Sequence, residues 1–196
     1  MRKVIIQSLV FAGLLGFTQV STAHIGVLPT SGWADGLMHP FSGIDHLLVM
    51  IGVGLWAGSQ RRQPAWWIIG LFLAAMVVGA LLGMQGVVLH SVESAVLATL
   101  IAVGLLLAAG NNRIWQPLGL AIVAVSALLH GLAHGAEMPE TAEAFTYIVG
   151  IVSATGILHG LGMAGSFCLR RMQADVWVGI YGGATGLAGA WLLITA

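Results

Sequence analysis

Charge is scarce in this 196-residue sequence, in which Asp, Glu, Lys and Arg make up only 7% of the residues. A soluble domain normally has about a quarter of its residues charged, so a soluble globular protein is excluded. The seven basic residues form no patch, which argues against a nucleic-acid surface or a polybasic lipid-binding segment. The 58% hydrophobic content and the mean hydropathy of +0.96 indicate an integral membrane protein.

Cysteine and the common catalytic motifs are also missing or nearly so. The single Cys168 cannot form an internal disulfide bond, and it says little about compartment. The sequence contains no HExxH, GxSxG or nucleotide-binding motif. Zinc-protease chemistry, serine-hydrolase chemistry and direct use of ATP therefore lack their usual signals, and we do not expect an enzyme.

The first 23 residues have the pattern of a signal peptide. Arg2 and Lys3 precede an apolar run from 4 to 17, and Ser21 and Ala23 supply the small residues of a cleavage site. We expect cleavage after Ala23, which leaves 24–196 as the mature membrane domain. The alternative is an uncleaved first helix. Export places the mature N-terminus in the periplasm of a Gram-negative cell.

Six apolar segments follow, each near the roughly 20 residues that a helix needs to cross a bilayer. The fold class expected is therefore an all-α membrane protein, a bundle of six transmembrane helices. The helices are predicted at about 40–58, 65–84, 92–110, 118–136, 144–168 and 176–195. Three helices followed by three of opposite orientation permit an inverted repeat, although the halves show no convincing sequence similarity.

The charges between these segments predict the orientation. With the mature N-terminus outside, every basic loop residue falls on the cytoplasmic side, as the positive-inside rule requires: Arg61, Arg62, Arg113, Arg170 and Arg171. The acidic loop with Glu137, Glu140 and Glu143 falls on the periplasmic side. We expect a multi-pass protein of the bacterial inner membrane with both mature termini in the periplasm. Small-residue pairs such as Gly131 with Gly135 and Gly156 with Gly160 indicate close helix packing.

Histidine is the unexpected residue in so apolar a chain. All seven histidines follow the predicted cleavage site, and nearly all fall within or at the ends of apolar segments. A polar side chain at such depth needs a partner or a function. A lone histidine is more often a hydrogen bond between helices, but several at ligand spacings indicate metal binding.

The first histidine cluster is at the start of the first mature segment, in His39, Asp45 and His46. Seven residues are nearly two turns, so His39 and His46 are predicted to share one stripe of a helix that begins near Pro40, with His39 at its edge. Asp45 either ligates a cation or accepts a hydrogen bond that orients an imidazole. The alternative for Asp45 is a cap on a broken helix start.

The second cluster lies in the fourth segment. His130 and His134 are four residues apart, so they share a helix face and can reach one cation, with Glu137 nearer water.

Weaker candidates are His90 with Glu93, one turn apart, and His159 at a deeper position. His24 would chelate through its terminal amine and imidazole if cleavage occurs as predicted. Three methionines follow a histidine by four residues and are softer candidates: Met50, Met138 and Met163.

Imidazole and carboxylate ligands suit borderline divalent ions such as Ni(II), Co(II) and Zn(II), and they exclude a calcium or magnesium cage built from oxygen alone. The metal is expected as a transported substrate, with no permanent cofactor.

A second hypothesis is a haem- or di-metal-binding redox protein, since His130 and His134 form one histidine box. Such di-metal enzymes need several boxes, and adjacent His-His pairs are missing. The sequence does not predict the oligomeric state.

Two long segments resemble the HupE/UreJ family of nickel and cobalt permeases. One runs from His39-Pro40 through Gly43-Ile44-Asp45-His46-Leu47-Leu48-Val49-Met50 to Trp56-Ala57, and the other is His130-Gly131-Leu132-Ala133-His134-Gly135-Ala136-Glu137-Met138-Pro139. The resemblance implies secondary uptake of Ni(II), and Co(II) as an alternative, for hydrogenase or urease maturation. It also implies that His39, Asp45 and His46, with His130, His134 and Glu137, are the metal residues.

Overall fold

A computed structural model describes residues 32–60, 63–87, 89–110 and 116–195. Within these ranges the regular structure is entirely α-helical. The predicted signal peptide and His24 lie outside the described residues. The helices are α1 (Gly32–Ser42), α2 (Ile44–Ser59), α3 (Ala65–Met84), α4 (Val92–Ala108), α5 (Gln116–Ala136), α6 (Ala144–Arg171) and α7 (Val176–Thr195).

Four of these helices, α3, α5, α6 and α7, are long and apolar enough to cross a membrane. Helices α1 and α2 together make a fifth candidate span, bent by 85°. Helix α4 is apolar but has only 17 residues, about 25 Å of helix, against a hydrocarbon core of about 30 Å. The prediction of an all-α membrane protein is confirmed. The count of six spans stays a prediction.

The start of the first span differs from the sequence prediction. A helix was expected to begin near Pro40 and continue through His46, but Pro40 lies inside α1. The chain becomes extended at Gly43, with φ −107° and ψ 125°, before α2 begins. The prediction that His39 and His46 share one helical stripe was therefore wrong, because the two residues belong to helices that meet almost at a right angle.

Helices that are distant in sequence form the main packing pairs. Helix α3 packs on α5, α4 on α7, and both α1 and α2 on α6. Glycines allow these close approaches: Gly131 lies against the backbone of Met76, where a Cβ would clash. The Gly156 and Gly160 pair behaves differently, since no described atom comes within 4 Å of the place that a Cβ would take at either residue.

The core lies where α2, α3, α5 and α6 meet. Its large members include Phe72, Met76 and Tyr147, which are fully buried. The outer surface is also apolar, with strongly exposed side chains such as Leu187 and Ile194. An apolar exterior of this kind would aggregate in water, but it is what a lipid-facing helix requires.

Candidate metal centre

The break between α1 and α2 brings the first cluster together. His39 lies in the last turn of α1, and Asp45 and His46 lie in the first turn of α2. A Cβ at Gly43 would lie 2.5 Å from Asp45 Oδ1 and 2.9 Å from His46 Nδ1, closer than real Cβ atoms approach. Glycine at this position therefore leaves the space in which the carboxylate and the imidazole sit.

Asp45 orients the imidazole of His46. The distance between His46 Nδ1 and Asp45 Oδ1 is 2.9 Å. Because an ionised carboxylate can only accept a hydrogen bond, Nδ1 carries the proton and Nε2 keeps its lone pair. His46 Nε2 is buried and has no hydrogen-bond partner among the described residues. A histidine arranged in this way is ready to bind a metal through Nε2.

Helix α5 supplies the second pair of imidazoles. His130 and His134 are both fully buried. His130 Nδ1 donates to the carbonyl oxygen of Ser126 at 2.8 Å, which again leaves Nε2 with its lone pair. Neither ring nitrogen of His134 has a partner in the described part of the chain. Leaving one buried polar atom unpaired costs about 1–3 kcal/mol, so this set of unpaired nitrogens needs a functional reason.

The imidazoles of the two clusters are in contact. The ring centroids of His46 lie 4.9 Å from His130 and 4.7 Å from His134, and His39 lies 4.8 Å from His134. His39 and His46 are 6.3 Å apart. Helices α1, α2 and α5 thus each contribute to one group of four imidazoles, which we call the histidine cluster: His39, His46, His130 and His134.

Glu137 closes the outer end of the histidine cluster. Its Oε2 lies 2.9 Å from His39 Nε2, so the ring donates to the carboxylate. The side chains are 25% exposed for His39 and 47% exposed for Glu137, whereas His130 and His134 are fully buried. The cluster therefore runs from a partly charged, water-accessible rim to a neutral interior.

The cluster is not a closed metal site in this structure. Over the described ranges, no three His, Cys, Asp or Glu side chains are arranged to hold a metal ion. The rings of His39 and His134, and those of His46 and His130, instead pack edge to face, with centroids 4.8 Å and 4.9 Å apart. An ion therefore requires changes of side-chain rotamer before several ligands can converge on it.

The weaker candidates lie elsewhere. His90 and Glu93 are exposed around the start of α4, and no contact among the described residues joins them to the histidine cluster. His159 is fully buried in α6. Its ring is separated from His130 by Phe72, whose ring centroid is 4.6 Å from His159 and 6.4 Å from His130.

A sequence model of the family described as HupE / UreJ protein matches residues 12–192. The chain belongs to the HupE/UreJ family. Protein HupE of Rhizobium leguminosarum bv. viciae is 40% identical over 181 residues, which cover 92% of this chain and 93% of the relative. No solved structure matches the chain significantly. The resemblance seen in the two histidine-containing segments is thus confirmed, and the chain is a multi-pass membrane protein of the HupE/UreJ family.

Several residues that contact the histidine cluster or His159 were not predicted from the sequence. Ser126 and Thr155 each accept the Nδ1 hydrogen bond of a histidine four residues later, through their backbone carbonyls. Tyr147 donates its hydroxyl to the carbonyl oxygen of His134 at 3.2 Å. The four-residue spacing could have identified the two carbonyls. No sequence pattern could have identified Tyr147 or Phe72, because both reach the site from other helices.

Proposed function

We propose that this HupE/UreJ protein is a secondary transporter that takes up a divalent transition metal, Ni(II) in preference to Co(II), across the bacterial inner membrane. The observation that carries the proposal is the histidine cluster, in which His46, His130 and His134 each have a buried ring nitrogen without a hydrogen-bond partner among the described residues. Membership of the family supports a transport role in place of an enzymatic one.

The ligand types favour a borderline ion. Neutral imidazoles together with the carboxylates of Asp45 and Glu137 suit Ni(II), Co(II) and Zn(II) better than Mg²⁺ or Ca²⁺, which take oxygen ligands. Cys168 lies near the C-terminal end of α6, on the side of the bundle opposite the cluster, and is too far away to be a thiolate ligand there. Asp45 and Glu137 supply carboxylates that contact the imidazoles of His46 and His39. The ion thus exchanges water for ligands in steps, from the charged rim inwards.

The open arrangement of the ligands suits transport. A site that holds an ion too strongly cannot release it to the other side. In the histidine cluster the ligands come from three helices, so a small movement of one helix separates them. Binding and release then accompany helix movement, as in transporters whose sites lie between packed segments.

We also propose that the histidine cluster faces the periplasm. The cluster lies at the beginning of α2 and the end of α5, whereas Arg170 and Arg171 lie at the end of α6, on the opposite side of the bundle. Cytoplasmic placement of these arginines follows the positive-inside rule. Both mature termini are then periplasmic, and a reporter fused to the C-terminus should be active only in the periplasm. The imported ion would supply hydrogenase or urease maturation.

A haem function is less compatible with the cluster. Haem ligation by two histidines places the porphyrin between the two rings. In this protein the rings of His46 and His130 are in edge contact, with 4.9 Å between their centroids. No macrocycle fits between them, so absorption spectra of the purified protein should lack a Soret band.

Uptake of radioactive nickel into cells tests the proposal directly. Because His46 Nε2 is oriented for ligation, His46→Ala should lower the uptake rate at limiting nickel by at least about tenfold. His90→Ala, which removes an exposed imidazole outside the cluster, should leave uptake unchanged. Undiminished uptake by stably inserted His46→Ala would contradict the site assignment. Competition by unlabelled cobalt, zinc and copper ranks the metals, and competition by cobalt as strong as that by unlabelled nickel would refute the preference proposed.

A further inference from the structure

The two halves of the bundle repeat the same helix contacts. Helices α2 to α4 form one half and α5 to α7 the other, and α2 packs on α6 as α5 packs on α3. Gly54 of α2 lies against the carbonyl oxygen of His159, and Gly131 of α5 lies against the carbonyl oxygen of Met76. In both interfaces a glycine of the first helix of one half meets the second helix of the other half.

The register of these contacts is constant. Gly162 of α6 lies against the carbonyl oxygen of Ile51, and Gly79 of α3 lies against that of Leu128. Ile51 stands three residues before Gly54, as Leu128 stands three residues before Gly131. Gly162 likewise follows His159 by the same three residues that separate Gly79 from Met76. The two interfaces therefore superimpose residue by residue.

A second turn of each interface shows the same correspondence. Gly58 lies close to the carbonyl oxygen of Met163, and Gly135 lies against the carbonyl oxygen of Ala80. Gly58 follows Gly54 by one turn, as Gly135 follows Gly131. One coincidence of glycines is common in membrane bundles, but three matched contacts at one register indicate a repeated structure.

The remaining helix pair has the reciprocal contacts that a twofold axis produces. Gly104 of α4 lies close to the carbonyl oxygen of Gly182, and Gly182 of α7 lies close to the carbonyl oxygen of Gly104. Such mutual contacts are the mark of a twofold relation. Since each half has three successive helices, equivalent helices run in opposite directions. The bundle is thus an inverted repeat, whose axis lies in the plane of the membrane.

The axis of the repeat passes between α3 and α6, because each of these helices is the equivalent of the other and the two are in contact. Their equivalent residues are Met76 and His159. Thr155 connects the two, since its hydroxyl donates to Met76 Sδ at 3.5 Å while its carbonyl oxygen accepts from His159 Nδ1 at 2.8 Å. Transporters built from inverted repeats hold their substrate near this axis, at the middle of the bilayer.

His159 has a nitrogen available at this point. His159 is fully buried, and its Nε2 has no hydrogen-bond partner in the described ranges. The hydrogen bond from Nδ1 leaves the lone pair on Nε2. Met76 is also fully buried and offers a thioether. Imidazole with thioether is a ligand pair that accepts borderline and soft transition metals and does not favour Mg²⁺ or Ca²⁺.

We propose that His159 Nε2 and Met76 Sδ form a second, transient position for the transition metal on the axis of the inverted repeat, reached from the histidine cluster past Phe72. This inference rests on the proposed transport function. Both ligands are neutral, so the position holds a divalent ion less strongly than the cluster with its carboxylates and releases it readily. The sequence offered Met163, on the same helix as His159, as a sulfur ligand. The proposed position uses Met76 of the facing helix instead.

The route continues to the other end of the bundle. A cavity of about 360 Å³ lies between the ends of α2, α4 and α6 and the start of α7, lined by residues that include Trp56, Arg170 and Asp175. The histidine cluster lies at the opposite ends of α2 and α6. The axis position is therefore intermediate between a periplasmic capture site and a cavity on the side assigned to the cytoplasm.

Uptake kinetics separate the second position from the first. Met76→Leu keeps the side-chain volume and removes the thioether. We expect Met76→Leu and His159→Leu to lower the maximal rate of nickel uptake about tenfold while the half-saturating concentration changes little, because initial capture is unaffected. His159→Met should recover part of the rate, since methionine is accommodated at the equivalent position of α3. Met84→Leu, on the same helix as Met76, is the matched control and should behave as the unaltered chain.

A spectroscopic measurement tests the second position also in variants that are present in the membrane in reduced amounts. X-ray absorption at the nickel edge of the purified, nickel-loaded protein should show sulfur scattering, and Met76→Leu should remove it while Met84→Leu does not. Unchanged uptake in Met76→Leu, no recovery in His159→Met, or sulfur scattering that survives Met76→Leu would each overturn the second position alone. Absence of nickel uptake by the unaltered chain would overturn the transport function together with this inference.

Discussion

Gly43→Ala is the substitution for which the structure makes the sharpest prediction. The backbone at Gly43 has φ −107° and ψ 125°, which alanine adopts without strain. The added Cβ, however, would lie 2.5 Å from Asp45 Oδ1 and 2.9 Å from His46 Nδ1. Contacts between carbon and these atoms relax at about 3.5 Å, so the pair must move by roughly 1 Å. The hydrogen bond of 2.9 Å between Asp45 and His46 cannot survive such a movement unchanged.

The loss is expected in metal binding more than in folding. Disturbing the group that orients a ligating histidine costs about 10–100-fold in metal affinity, or about 1.4 to 2.7 kcal/mol. Gly43→Ala should therefore raise the nickel concentration that gives half-maximal uptake about tenfold or more. Asp45→Asn, which weakens the same hydrogen bond without adding volume, should give an effect in the same direction.

The assay is nickel uptake over a range of concentrations, with the membrane level of each variant measured alongside. Gly70→Ala is the control, since no described atom lies within 4 Å of its Cβ position in α3 and alanine favours a helix. A half-saturating concentration for Gly43→Ala equal to that of the unaltered chain, with Asp45→Asn impaired, would refute the steric argument.

Three further predictions concern pH and packing. Two backbone N–H groups, of Thr146 and Phe145, donate to Glu143 and hold the pKa of this carboxyl below its ordinary 4.5; Glu143→Ala should thus lower the melting temperature at neutral pH, and a difference in melting temperature that stays undiminished as the pH falls through this lowered pKa would contradict the capping role. Because imidazole must be neutral to bind a metal, nickel uptake should fall on acidification, and a rate that rises would contradict ligation by histidine. Gly131→Val should reduce the folded protein in membranes because its side chain meets the Met76 carbonyl, whereas Gly156→Val should not, and equal levels of the two would argue against the α3 and α5 contact.

Much of the histidine cluster could be predicted from the sequence because the informative patterns are short. His130 and His134 share a face at any position on a helix, so their proximity follows from helical geometry alone. The pairing of Asp45 with His46 is also local. The contact between His39 and His134 is not local, since it depends on the bend at Gly43 and on where α1 meets α5. Hydrophobic periodicity predicted one continuous helix through Gly43, because a single glycine occurs both within helices and at the breaks between them.

The surroundings of His159 could be predicted from the sequence even less. His159 was visible in the sequence as an isolated polar residue, but the residue that accompanies it was expected on the same helix, in Met163. Met76 lies on a different helix and far away in the sequence. The inverted repeat escaped detection because its halves share the spacing of their glycines and little else.

The sequence by itself determined the membrane class and the family, because backbone groups in lipid must be paired within each helix and this requirement acts on local composition. It also predicted a borderline divalent ion, through the chemistry of imidazole and carboxylate. Only the tertiary structure decided which helices meet, that α1 breaks from α2, and that Thr155, one turn before His159, donates to Met76. Helix pairing in lipid depends on close backbone contacts between distant glycines and carbonyl groups, and no local pattern specifies which glycine meets which carbonyl.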